Sequence, residues 1–368
     1  MARDPSFPDP ATSPPADPPV QLLDVDGTYT EDPQWPVDVT DDQLVELYRM
    51  MVMARQIDAQ SITLQRQGQL GVYASLRGQE AAQVGSAFAL APQDWVFPSY
   101  REMGVALVRG LDPRELLHVF RGTWLGAHDP AKHRFALITI SIGTQALHAA
   151  GFAMGARLDG AECCAVAYLG DGATSEGDTH EAFNFAGVFT APCVFFIQNN
   201  QYAISVPVTR QTAAPTIAHK AVGYGMPGYR CDGNDVLASY AVMRRALRHA
   251  REGHGPALVE AVTYRMEAHT TADDPTRYRD DDELEVWRAK DPITRYERFL
   301  RDRELLDDEL VEAADRAARA EAQTVRAAIH DAPHGDPREL FDHVFVEPTD
   351  RLAAQRAQLD AELTGQEA

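Results

Sequence analysis

Apolar and polar positions divide the chain into four stretches. Residues 1–40 hold nine of the 23 prolines and many aspartates, with little apolar pattern before Leu22 and Leu23. This predicts an extended, partly disordered arm whose end can strap across a partner surface. Residues 41–67 (DDQLVELYRMMVMARQIDAQSITLQRQ) place apolar side chains at helical spacing behind Asp41 and Asp42, which suit a helix N-terminus. From about residue 68 to 270, glycine-rich turns, short apolar runs and helical segments alternate. The runs 161–169 (AECCAVAYL), 192–197 (PCVFFI) and 256–266 (PALVEAVTYRM) read as buried strands, with a helix over 176–189 between the first two. A strand–helix–strand unit of this kind makes its two strands parallel. From about 281 onward the pattern is long, charged and amphipathic, predicting helices packed on the core or on another subunit. The expected fold is therefore α/β, a parallel sheet flanked by helices. It comprises an arm (1–40), an α/β domain (41–280) and a helical extension (281–368).

Composition narrows the function classes. The net charge of −21 repels phosphate backbones and argues against nucleic acid as a partner. No apolar run approaches the roughly 20 residues that span a bilayer. Arg3 is the one basic residue near the start, and no apolar run follows it, so neither a secretory nor an Arg-rich transit segment is expected. The four cysteines, Cys163, Cys164, Cys193 and Cys231, form no CxxC, and three sit in apolar runs. They read as buried free thiols of a reducing, cytoplasmic compartment.

The candidate chemistry begins at Gly170-Asp171-Gly172. Asn199-Asn200 follow, with Asp171 and Asn200 separated by 29 residues. Each half directly follows a predicted strand, so both emerge at the carboxyl edge of a parallel sheet, where α/β folds bind ligands. Magnesium wants hard oxygens, usually a few from protein and the rest from phosphate and water. Asp171 offers a carboxylate, Asn200 an amide oxygen, and the backbone near Tyr202 a carbonyl. Gly170 and Gly172 let the main chain approach phosphates, and the amides from Ala173 into the next helix can donate to them. A Gly-Asp-Gly alone marks an ordinary turn; the pairing with Asn-Asn in this context is what points to a magnesium diphosphate.

That spacing resembles the thiamine diphosphate signature. Residues 170–205 (GDGATSEGDTHEAFNFAGVFTAPCVFFIQNNQYAIS) closely resemble alpha subunits of the decarboxylase component of 2-oxo acid dehydrogenases. The resemblance runs over roughly residues 40–355, including the tail 343–355 (HVFVEPTDRLAAQ). It implies further cofactor contacts. In 97–101 (FPSYR), Tyr100 and Arg101 would meet the diphosphate, to which the arginine fork is suited. In 140–145 (ISIGTQ), the Ile142-Gly143 backbone would hold the aminopyrimidine and a bulky apolar residue would prop the cofactor, with Ile140 and Ile142 as the cofactor contacts and potassium near Thr144 and Gln145. In 264–279 (YRMEAHTTADDPTRYR), His269 would contact the diphosphate and face the reactive centre, where histidine moves protons near neutral pH. Thr270 and Thr271 occupy the place of a regulatory phosphoserine in animal relatives. Gly151 and Gly155 form a GxxxG that suits either subunit packing, as in the family, or packing within the domain. The chain departs from the pattern at Ser99, where mammalian branched-chain relatives have glutamine. It departs again at Gln198, where they have arginine; Gln198 is retained as a candidate cofactor contact. Thr123-Trp124-Leu125 replace a histidine-containing run of some pyruvate-type relatives. His128 and His133 read as loop residues.

By resemblance, the activity is thiamine-diphosphate- and magnesium-dependent oxidative decarboxylation of a small 2-oxo acid, with reductive acylation of the lipoyl group of an acyltransferase component. The glutamate that protonates the aminopyrimidine belongs to a separate domain that this chain lacks. A beta subunit would supply it, in an α2β2 heterotetramer with the active site at the interface. The aspartate–proline loop and the missing histidine run favour branched-chain substrates. Pyruvate- and acetoin-type alpha subunits stay open, as does a non-catalytic regulatory paralogue. No GxGxxG follows residues 161–169, which argues against a dinucleotide-binding protein.

Overall fold

A computed structural model describes residues 18–122, 128–332 and 336–366. The central sheet holds five parallel strands in the order β1-β2-β3-β7-β6. They are β1 Trp95–Phe97, β2 Ala165–Gly170, β3 Cys193–Asn199, β6 Gly228–Asp232 and β7 Ala257–Val262. A small antiparallel hairpin, β4 Tyr202–Ala203 and β5 Val206–Pro207, stands beside the end of β3. All seven residues of β3 are buried, as a central parallel strand covered on both faces requires. The three predicted strands thus form, parallel and in register; β2 and β7 are shorter than their apolar runs, and β3 runs two residues past its own.

Helices cover both faces. Helix α1, Asp41–Arg66, starts at a reciprocal capping box between Thr40 and Gln43, with Asp41 and Asp42 in its first turn. Helix α2, Glu80–Phe88, packs with α1 and with α5, Val236–His249, over one core that includes Met51, Val84, Tyr168 and Val242. On the opposite face α3, Thr144–Leu158, and α4, Gly177–Val188, pack against each other. Their alanines there join Phe183, Phe195 and Ile197 in a second core. Past residue 280 the chain is helical: Asp281–Arg288, Pro292–Asp302, α6 Asp308–Asp331 and α7 Asp350–Gln366. Helix α6 lies along α1, so that part of the extension belongs to the core.

The arm differs from its expected freedom. From residue 18 it packs on its own chain. Val20 pairs with Cys231 at the outer edge of β6, and the amides of Leu22 and Leu23 donate to Asp235 Oδ2 at 2.7 and 2.6 Å. Both leucines are fully buried, and the Asp24 carbonyl accepts from Arg295 Nε at 2.7 Å. An unpaired strand edge plus two leucines suffices to order a Pro/Asp-rich segment. The first 17 residues lie outside the described part.

Candidate active site

Four strand ends deliver side chains to one edge of the sheet. Asp171 follows β2, Asn200 follows β3, the segment Ser99–Glu102 follows β1, and Arg265 and His269 follow β7. They border a cavity of about 220 Å³. The tight turn after Asp171 is a short 3-10 segment, Gly172–Ser175, and α4 begins only afterwards. Gly172 is required by the fold itself, because a Cβ there would lie 2.6 Å from Ala203 Cβ; Gly170 has open space around it.

At one end of the cavity oxygens converge. The Asn200 side-chain oxygen faces Asp171 Oδ1 at 3.3 Å and the Tyr202 carbonyl at 3.2 Å. Asp171 Oδ2 accepts from Gln211 Nε2 at 2.5 Å, and Asn200 Nδ2 donates to Gln79 Oε1 at 3.2 Å. Burial raises the Asp171 carboxyl above its ordinary value, with the Gln211 hydrogen bond opposing. The Tyr202 amide donates to Asn200 Oδ1 at 3.4 Å, and turning the carboxamide over lets its nitrogen donate to both facing oxygens. Octahedral magnesium at roughly 2.1 Å sets adjacent ligand oxygens about 3 Å apart, close to the spacing here. The donor set, one carboxylate, one amide oxygen and one carbonyl, is therefore the kind that magnesium takes.

At the other end donors converge. His269 Nδ1 lies 3.4 Å from one Arg101 guanidinium nitrogen and 3.3 Å from one of Arg265. Arg101 also donates to the carbonyls of His269, at 3.0 Å, and of Ser75. Facing two permanent donors, Nδ1 is the acceptor, which leaves the proton on Nε2. Burial, then Arg101 and Arg265, lower the His269 pKa to about 4, against an opposing pull from Asp273. His269 is thus a neutral hydrogen-bond donor at ordinary pH, in contrast to the near-neutral titration expected of it. The Tyr100 ring stands edge-on to the imidazole, with centroids 6.2 Å apart.

The family model described as "Dehydrogenase E1 component" matches residues 48–338. This chain belongs to that family. It is 54% identical over 345 residues, 94% of both chains, to a Mycobacterium tuberculosis protein named 3-methyl-2-oxobutanoate dehydrogenase subunit alpha. It is 40% identical over 340 residues, 91% of both chains, to the pyruvate dehydrogenase E1 component subunit alpha of Staphylococcus aureus. A Staphylococcus epidermidis protein of the same name matches to the same extent, 40% over 340 residues.

The other expected contacts of this E1 chain fall in different places. Ile142 borders the cavity, whereas Ile140 is 64% exposed and is not among the lining residues. Gln198 borders it too, but both ends of its amide are engaged within the protein. Its Nε2 donates to Glu102 Oε1 at 2.7 Å and its oxygen accepts from Gln83 Nε2 at 2.9 Å. Glu102 also accepts from Ser99 Oγ at 2.8 Å, so the two departures noted in the sequence, Ser99 and Gln198, serve one buried carboxylate. Gln145 donates to the Tyr168 carbonyl at 3.0 Å, and its buried Oε1 has no partner among the described residues. Thr271 is pinned to Tyr73 by two hydrogen bonds, of 2.9 and 3.1 Å. His128 is buried with Nε2 3.0 Å from the Phe135 carbonyl, a structural position. Thr123-Trp124-Leu125 lie outside the described residues.

Sequence reasoning missed Gln79, Gln211, Glu102 and Arg265. Arg265 stood inside the quoted 264–279 segment, and its place just after β7 was a usable signal. The two glutamines had none, since each acts only through a neighbour distant in sequence.

Proposed function

We propose that this chain is the alpha subunit of a branched-chain 2-oxo acid dehydrogenase decarboxylase, holding thiamine diphosphate through magnesium. Family membership establishes the 2-oxo acid dehydrogenase class, and the relative at 54% identity supports the branched-chain assignment. The observation that carries the cofactor reading is the convergence of the Asp171 carboxylate, the Asn200 carboxamide and the Tyr202 carbonyl opposite the guanidinium groups of Arg101 and Arg265. A magnesium diphosphate presents a cation to the first and anionic oxygens to the second. Thiamine diphosphate, when bound, supplies the electron sink for loss of carbon dioxide from the 2-oxo acid. The chain's own residues do the rest. Asp171, Asn200 and the Tyr202 carbonyl hold the metal. Arg101, Tyr100 and the backbone at Gly172 and Ala173 orient the diphosphate. His269 offers its Nε2 proton to an oxygen facing it. Burial of Asp171, Asn200, Arg101 and Ala173 limits competition from water there. The unpartnered Gln145 Oε1 supports a potassium ion beside Thr144.

The partner is a beta subunit that completes the site, in an α2β2 assembly that passes the acyl group to a lipoyl acyltransferase. Gly151 and Gly155 support this, since among the described residues nothing outside their own helical neighbourhood lies within 4 Å of a Cβ placed on either. Leu158, Val188 and Phe189, exposed on and beside the same helix pair, extend an apolar surface suited to burial by another subunit. Three buried cysteines fit the reducing conditions of the cytoplasm. Among the described residues no helix is long and apolar enough to cross a membrane.

The test is carbon dioxide release by the chain assembled with its beta subunit, with thiamine diphosphate and magnesium, comparing 3-methyl-2-oxobutanoate with pyruvate. Higher kcat/KM for the branched acid is the expected result. Higher kcat/KM for pyruvate overturns the substrate assignment. Full activity without thiamine diphosphate or without a divalent cation overturns the site assignment.

A further inference from the structure

The connection from α1 to α2 has no regular secondary structure, yet Tyr73, Ala74, Ser75 and Leu76 within it are buried. Buried irregular backbone needs a partner for each of its polar groups. One carboxylate supplies several of them. Asp58, buried on α1, accepts through Oδ1 from the Leu76 amide at 2.8 Å and the Tyr73 hydroxyl at 3.0 Å. Its Oδ2 accepts from the Ser75 hydroxyl at 2.6 Å. Burial raises the Asp58 carboxyl to about 6 against these three hydrogen bonds, so at neutral pH it is ionised and only accepts.

The same segment carries the donor end of the cavity. The Ser75 carbonyl accepts from the Arg101 guanidinium. Tyr73 exchanges two hydrogen bonds with Thr271, and the Arg77 carbonyl accepts from the Met266 amide at 3.1 Å. The other carbonyl that holds the Arg101 guanidinium is that of His269, and it lies between those two ties. We propose that Asp58 is a positioning residue for the diphosphate, fixing through residues 73–76 the two carbonyls that hold the Arg101 guanidinium. The inference rests on the magnesium diphosphate reading above. Arg101 comes from the segment after β1 and His269 from the one after β7, and residues 73–77 give the two a common reference. Without the carboxylate, three donors in this segment lose their acceptor inside the core, and the segment must shift to find others. The Ser75 carbonyl and the Thr271 loop shift with it, and the Arg101 fork loses the alignment that phosphate oxygens require. The oxygen end takes its frame from β2 and β3 and is disturbed less.

Three substitutions separate positioning from general loss of stability. Asp58→Leu is near-isosteric and removes every acceptor. Ser75→Ala breaks the shortest of the three bonds and keeps the carboxylate. Tyr296→Phe removes a buried hydrogen bond of 3.0 Å to the Leu44 carbonyl, near the start of the same helix, and serves as the control. In the α/β assembly, thiamine diphosphate affinity is read by tryptophan fluorescence with excess Mn2+. Amide hydrogen exchange over 263–279 and over 165–175 is read by mass spectrometry without cofactor. Asp58→Leu is expected to weaken thiamine diphosphate about tenfold or more, the scale of one lost hydrogen bond to a charged group. It is also expected to speed exchange over 263–279 about tenfold while leaving 165–175 within about twofold. Ser75→Ala is expected to change the same two readings about fivefold, and it decides the matter should Asp58→Leu not assemble. Tyr296→Phe is expected to leave both within about twofold. Unchanged readings in Ser75→Ala, or equal losses in Tyr296→Phe, overturn the inference and leave the proposed function intact. Faster exchange over 263–279 with undiminished cofactor affinity overturns it too, because the segment would then hold the loop and not the diphosphate. Failure of the wild-type assembly to bind thiamine diphosphate with Mn2+ sinks the magnesium diphosphate reading and this inference together, and it is recognised before any variant is made.

Discussion

At one end of the cavity the side-chain oxygens of Asp171 and Asn200 and the Tyr202 carbonyl crowd within 3.3 Å; at the other, two guanidinium groups approach one imidazole nitrogen within 3.4 Å. The first end is rich in acceptors, partly satisfied by Gln211 and the Tyr202 amide, and the second is rich in donors, partly satisfied by backbone carbonyls. A metal diphosphate complements both at once, so the contrast between the ends says more about the ligand than either end does. The ends also differ in construction. The oxygen end grows from adjacent central strands, β2 and β3, whose register fixes it. The donor end depends on the looser segments after β1 and β7, joined side chain to backbone through Arg101 and the His269 carbonyl.

The contrast breaks most sharply at Asp171. Asp171→Asn keeps the size and removes the one charge in the oxygen cluster. Taking one partner from a buried charge pair costs about 3–5 kcal/mol, so metal affinity should fall by hundreds- to thousands-fold, with decarboxylation falling alongside. Metal titration of the α/β assembly measures it. Retention of wild-type metal affinity by this variant would mean that the cation sits elsewhere.

A smaller effect separates two roles for Gln198, which the sequence marks as a diphosphate contact and the structure ties to Glu102 and Gln83. Burial pushes the Glu102 carboxyl up, and the Ser99 and Gln198 hydrogen bonds oppose this. Gln198→Leu leaves that carboxylate short of a donor and should lower stability by about 1–3 kcal/mol. Thiamine diphosphate affinity should stay within about threefold. Thermal unfolding and fluorescence titration check the two halves. Loss of cofactor affinity without loss of stability would restore Gln198 to the diphosphate.

How much of this was legible follows from the same contrast. Asp171, Asn200 and Tyr202 could be read from the chain because strand ends and glycines leave a mark in one dimension. Sheet direction could be read because a helix between two apolar runs forces a parallel crossover. Glu102 and Gln79 could not, since their meaning lies in partners at Gln198 and Asn200, about 100 residues away. The packing of Val20, Leu22 and Leu23 on their own chain was missed for a related reason. Composition reported prolines and aspartates, while Leu22, Leu23 and a long-range acceptor at Asp235 decided the outcome. His269 lies at the sheet edge that its segment predicted, whereas the two arginines from different segments that lower its pKa leave no mark in that segment.

That charge state gives the mildest test. The folded pKa of His269, about 4, lies below its ordinary value of 6.5. As pH falls through that window the unfolded chain takes up a proton that the folded chain refuses, so this group makes the fold less stable toward acid and has no such effect above about 6.5. His269→Asn should therefore flatten the acid side of the stability curve between those two values. An anion seated against Arg101 and Arg265 offsets the charges that depress the imidazole and raises its pKa. Ligand binding in that window should then take up protons and tighten as pH falls toward about 5. Proton uptake follows from calorimetry in two buffers of different ionisation enthalpy, and the imidazole titration from nuclear magnetic resonance with and without thiamine diphosphate. A ligand-free imidazole titrating near 6.5 would show that the guanidinium groups do not press on it, and the donor end of the cavity would lose the electrostatic character that distinguishes it from the oxygen end.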